Sequence, residues 1–227
     1  WPMPAADADP RAAVRARGDT RLRLFSLTLG GVFLAGYALF LLLGPAIACL
    51  FLAVAVVVSI LGLPLLLLRW PIHLVVMASL LGAIAIASVY GLIADWDARS
   101  IWFYHARFVA GGAGPMELLG PDRPLTHPQY PKMLALVAAA VARTAGFWNE
   151  ALPKLAVPLL FAPPLAYLVG AWPTRATRLL LLAAIFVICG RLLWNGYVDA
   201  ILAVYAVAAL GAGLRYMDGA GRLDGYC

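Results

Sequence analysis

The chain has 227 residues, 64% of them hydrophobic and 12% charged, with a formal net charge of +6 and a mean hydropathy of +0.90. That balance excludes an ordinary soluble domain and a disordered chain, and it marks an all-α polytopic membrane protein. The basic residues are scattered among short loops, which argues for topology determinants and against a nucleic-acid surface.

Residues 1–23 carry five arginines and no apolar core, so no signal peptide is read there; they form a basic arm placed in the cytoplasm. Three hydrophobic spans follow within residues 24–94. Phe25 to Leu43 ends at Gly44-Pro45, Ala46 to Leu68 is uncharged throughout, and Ile72 to Ala94 follows the turn Arg69-Trp70-Pro71. Runs of about 20 apolar residues are what a helix needs to cross the hydrocarbon core. With the arginine-rich arm inside, the third span emerges on the extracytoplasmic side and carries Asp95 and Asp97 there.

Residues 95–154 are the one long polar interval. Asp97, Ile101, Tyr104 and Phe108 fall on one helical face, and Arg99, Phe103 and Arg107 on another. A short amphipathic helix lying in the interface fits this pattern, with Trp102, Phe103 and Tyr104 read as an interfacial belt in preference to a sugar platform. Residues 111–131 read as loop from their glycines and prolines. Pro131 to Gly146 is ambiguous, being only about 16 residues long. Counted as a span, it divides the 17 Lys and Arg nine inside to eight outside; counted as a second interfacial helix, ten to seven. The interfacial reading is preferred.

Leu155 to Trp172, Leu179 to Trp194 and Ala200 to Leu214 complete six spans within residues 155–216, the first of these able to kink at Pro158, Pro163 and Pro164. The expected architecture is thus about six transmembrane helices and two juxtamembrane helices in a large external loop. Residues 217–227 are a cytoplasmic tail or a truncation point. Asp199 and Arg191 arrive on the same side as Asp95 and Asp97. Cys49, Cys189 and Cys227 have no paired spacing, so neither a disulfide framework nor a zinc site is expected.

Three pieces carry a family resemblance: Trp96-Asp97-Ala98-Arg99-Ser100-Ile101-Trp102, then His127-Pro128-Gln129-Tyr130-Pro131 with Asn149-Glu150 and Pro153-Lys154 after it, then Gly196-Tyr197-Val198-Asp199-Ala200. In this order and topology, residues 70–215 resemble the GT-C superfamily of polyprenyl-phosphate-sugar-dependent glycosyltransferases, in particular bacterial members related to protein O-mannosyltransferases and the lipid A aminoarabinose transferase. The resemblance implies a bacterial inner-membrane enzyme with a large external loop bearing two juxtamembrane helices. An acidic residue of that loop acts at the reaction centre; by position it is Asp97. Family members continue with further spans, so the chain reads as a fragment or a shortened relative.

The implied reaction moves a sugar from a polyprenyl phosphate to an acceptor hydroxyl. Asp97 is cast as general base, against helix N-capping. Asp95 is a second carboxylate or metal ligand, and Asp199 a further catalytic candidate against capping. Arg99, Lys132 and Arg191 are candidates to meet the lipid phosphate, against interfacial snorkelling. His127 is assigned to phosphate or acceptor, and Tyr130 and Tyr197 to substrate binding. A divalent metal stays open, because Asp95, Asp97 and His105 form no recognised ligand spacing. Expected partners are membrane lipids, the lipid-linked sugar donor and, for a non-catalytic remnant, other proteins of a membrane complex. A transporter ranks below both, since the charges gather at one face and no repeat is visible.

Overall fold

The computed structural model describes residues 10–67, 72–91, 95–119, 127–172 and 174–217. The protein is all-α and polytopic. Its elements are α1 (Pro10–Leu43), α2 (Pro45–Leu67), α3 (Ile72–Tyr90), a π-helical turn (Ala98–Trp102) continuing into α4 (Phe103–Ala110), α5 (Pro115–Leu119), α6 (Met133–Thr144), a 3-10 turn (Leu152–Leu155) leading into α7 (Ala156–Ala171), α8 (Arg175–Cys189) with a 3-10 extension (Gly190–Leu193), and α9 (Asp199–Met217). Among the described residues five helices are long and apolar enough to cross a membrane: Leu22–Leu43, Ile72–Tyr90, Leu152–Ala171, Arg175–Leu193 and Asp199–Met217. The second expected span is a helix of 23 residues, α2, whose side chains are described only as far as Val57. The N-terminal arm is helical from Pro10 and continuous with the first span.

Helix α7 is the centre of the bundle. It is apolar on every side, as a helix enclosed by others must be, and α1, α3, α6 and α9 pack around it. The outer helices instead turn large apolar side chains outward; on α8, Leu180, Val187 and Ile188 are all more than two-thirds exposed. Water would penalise such a surface, whereas lipid tails solvate it. Pro163 and Pro164 lie inside α7, which runs through them as one helix.

Side chains fasten both ends of α7. At its start Lys154 Nζ donates to the carbonyls of Val89 (3.3 Å) and Gly91 (2.5 Å), where α3 ends. At its end Arg178 Nε donates to Trp172 O (2.7 Å) and Arg215 Nη1 to Ala171 O (2.7 Å). Guanidinium donors suit these carbonyls, which lack helical partners and carry the negative end of the helix dipole. Arg178 also reaches His73 Nε2 at 3.0 Å, tying α8 to the start of α3. Arg178, in the first turn of α8, is therefore turned inward and buried, and Thr174 and Thr177 form a capping box over α8.

The second juxtamembrane helix departs from expectation. α6 has 12 residues, so it rises only about 18 Å, too short to cross the hydrocarbon core. Yet eight of those residues are buried, against α2, α4 and α7, whereas a helix lying in the interface would leave one face open. Its alanines let the neighbours approach closely. The first juxtamembrane helix departs too. Phe103 is buried while Arg99 and Arg107 are exposed, so these three do not share a face. The cause is the π-turn: the Phe103 amide bonds Ala98 O, an i→i+5 step that widens the helix and rotates everything after it. Trp102 and Phe103 thereby join the core and do not form an interfacial belt.

Candidate functional site

The site begins with a turn. After the 3-10 extension of α8, the amides of Trp194 and Asn195 both bond Arg191 O. Asn195 Oδ1 then accepts from the Tyr197 amide at 3.2 Å, an Asx turn that frees the side-chain amine to face across the bundle. That amine donates to Asp95 Oδ2 at 2.6 Å, joining residues 100 positions apart. Gly196 sits at φ +88°, and a β-carbon there would lie 2.7 Å from Phe103 Cε2 and 3.1 Å from Ala98 Cβ. Only glycine lets this turn rest on the π-turn.

This turn sets Tyr197 in the field of three carboxylates. Partial burial and the negative charges of Asp97, Asp95 and Asp199 push the Tyr197 hydroxyl above its ordinary pKa, opposed by the backbone amide of Asp97. Asp97 lies within right-handed helical backbone and makes no side-chain capping bond. Asp199 is exposed in the first turn of α9, where the helix dipole favours a negative charge. Arg99 and Arg191 are exposed, on the π-turn beside Asp97 and on the 3-10 extension before Asn195.

Lys132 is placed otherwise. It is 6% exposed, and its Nζ lies 2.9 Å from His105 Nδ1 and donates to His127 O at 3.4 Å. Burial lowers its pKa from 10.5 to about 8. The folded protein thus holds this proton less tightly than the unfolded chain does. Between pH of about 8 and 10.5 the unfolded state binds more protons, so this group makes stability rise with pH across that window, while below it the burial penalty is fully present. Lys132→Met is expected to flatten that rise relative to wild type in unfolding measured from pH 7 to 10.5; parallel curves would refute the assignment.

His127 is the one non-glycine residue with positive φ among those described, at +52°, a conformation costing about 1–2 kcal/mol. Its carbonyl is held by Lys132 and by the Tyr130 amide at 3.1 Å. Its ring stacks on Tyr130 at 4.7 Å and 19°, and Tyr130 stacks on Trp102 at 5.7 Å and 26°. The result is a ladder of three rings, graded from buried Trp102 to exposed His127.

Beside the ladder opens a cavity of about 460 Å³ between α1, α7 and α9. Its walls are almost wholly apolar. At one end stand Trp102, Pro131 and Val198, the last adjacent to Asp199; Ser26 and Ala209 lie further in. Along α9, from Val198 to Ala209, the groove runs about 16 Å.

The structure thus brings Asp95, Asp97, Asp199 and Tyr197 together, sets His127 and Tyr130 in the ladder, and turns Lys132 inward. Sequence reasoning read residues 195–199 as the outer turn but gave Asn195 and Gly196 no role in the site, and it weighed His105 only as a metal ligand. Among the described residues no group of three or more His, Cys, Asp or Glu side chains is placed to hold a metal ion. No family model, curated protein or solved structure matches the chain.

Proposed function

We propose that the protein is a membrane glycosyltransferase that moves a sugar from a polyprenyl-phosphate donor to an acceptor hydroxyl on the extracytoplasmic face of a bacterial inner membrane. The observation that carries this reading is the apolar groove, whose end at Val198 lies between Tyr197 and Asp199 in the chain, Tyr197 in turn lying in the field of Asp97 and Asp95. An isoprenoid tail matches such a groove, and the groove's end would set the phosphate and sugar against charged side chains. Asp97 takes the proton from the acceptor hydroxyl as its oxygen attacks the anomeric carbon. The bond from that carbon to the phosphate oxygen breaks, with inversion, and the lipid phosphate leaves with the electron pair. Arg99 and Arg191 meet the charge that develops there. Asn195 orients Asp95.

Gly31 supplies the test. It lines the groove, and a β-carbon on it meets nothing within 4 Å. Gly31→Phe is expected to fill the groove and weaken donor binding at least about tenfold, in nanodiscs titrated with a panel of polyprenyl-phosphate sugars. Unchanged binding in the variant would remove the groove from the reading. If wild type neither binds nor turns over any donor, the enzyme reading fails and a structural subunit of a membrane complex takes its place.

A further inference from the structure

We propose that the Trp102–Tyr130–His127 ladder is a stacking platform for the sugar ring of the lipid-linked donor, so that the protein recognises the sugar apart from the lipid. The inference rests on the transferase reading and assigns the part of the donor that the groove does not hold. Trp102 belongs to both features: its ring is the inner rung of the ladder and a wall of the groove's end. Pro131, between Tyr130 and Lys132, lines the same end. Whatever head the groove's lipid carries therefore arrives beside the ladder.

The chemistry of the ladder selects a ring with an apolar face. Stacked neutral rings offer little to a bare phosphate, which calls for cations or amide donors. Tyr130 is stacked between its neighbours, so the exposed outer rung His127 presents the face that matches the C–H face of a pyranose or furanose, while the Tyr130 hydroxyl and the His127 ring nitrogens provide edge groups for sugar hydroxyls. The π-turn adds a geometric link. Its i→i+5 bond from the Phe103 amide to Ala98 O shapes the turn that carries Trp102, five residues after Asp97, so platform and base are borne on one short segment. Lys132 acts from behind as a positioning residue, holding the His127 carbonyl while that residue keeps its left-handed backbone.

The test compares two lipids on the full chain in nanodiscs: a polyprenyl-phosphate sugar and the same polyprenyl phosphate without sugar. Tyr130→Ala and Tyr130→Leu are expected to weaken binding of the sugar-bearing lipid about tenfold and to leave the sugar-free lipid unchanged, with Tyr130→Phe close to wild type. Retained binding of the sugar-free lipid shows that the variants are folded. Equal weakening of both lipids would overturn the platform, as would wild-type protein that binds both equally well; in either case the lipid reading survives. Wild type that binds neither lipid overturns the transferase reading and the platform with it.

Discussion

Asp97→Asn is expected to slow sugar transfer by about 10²–10⁴-fold while leaving donor affinity within about twofold of wild type. The substitution keeps the shape and removes the group that can accept a proton. Its structural cost is small, because the Asp97 side chain makes no capping bond that the amide would lose. Removing one of three negative charges around Tyr197 also relieves like-charge repulsion, so the variant should fold at least as well as wild type. Single-turnover transfer at saturating donor is the measurement. A rate within tenfold of wild type would exclude Asp97 as the base and move the role to Asp95 or Asp199.

The second large effect belongs to a residue without a side chain. Gly196→Ala would place a β-carbon 2.7 Å from the Phe103 ring and 3.1 Å from the Ala98 methyl, on a backbone at φ +88°. Overpacking and the left-handed conformation together are expected to cost about 2–4 kcal/mol. The loss should appear as a lowered thermal midpoint in detergent. Activity should fall with it, since lifting this turn also breaks the bond from Asn195 to Asp95. Gly211→Ala is the matched control: it lies inside α9, its β-carbon meets nothing within 4 Å, and it should be neutral or stabilising by about 0.5–1 kcal/mol. Equal melts for the two variants would show that the Asn195 turn is not held against the π-turn.

The long helices were legible because run length alone reports them. Ile72–Tyr90, Arg175–Leu193 and Asp199–Met217 each match an expected span within a few residues. Counting those spans placed Asp95, Asp97 and Asp199 at one end of the bundle, and the field at Tyr197 comes from these three acids. What escaped was non-local or non-standard. A 3.6-residue period assumes α geometry throughout, so the π-turn at Ala98–Trp102 misassigned Phe103 to the face of Arg99 and Arg107. Lys132 resembled an interfacial cation because nothing adjacent in the chain reveals that His105, 27 residues earlier, receives it in the interior. α6 did carry a readable sign. From Met133 to Ala142 it is apolar around its whole circumference, which belongs to an enclosed helix and not to one lying on a surface.

The bond from Asn195 to Asp95 has a bearing on how the protein is made. Ribosomes add about 5–20 residues each second, so the 100 positions between these partners represent roughly 5–20 seconds of synthesis. Throughout that interval Asp95 and Asp97 have already been made, but the turn that organises them does not yet exist. α8 must be inserted, and Asn195 must follow it, before the acids acquire their neighbours. A nascent chain stalled short of that point holds its acidic pair without the turn that Asn195 supplies, so the arrangement is completed only once α8 is in place.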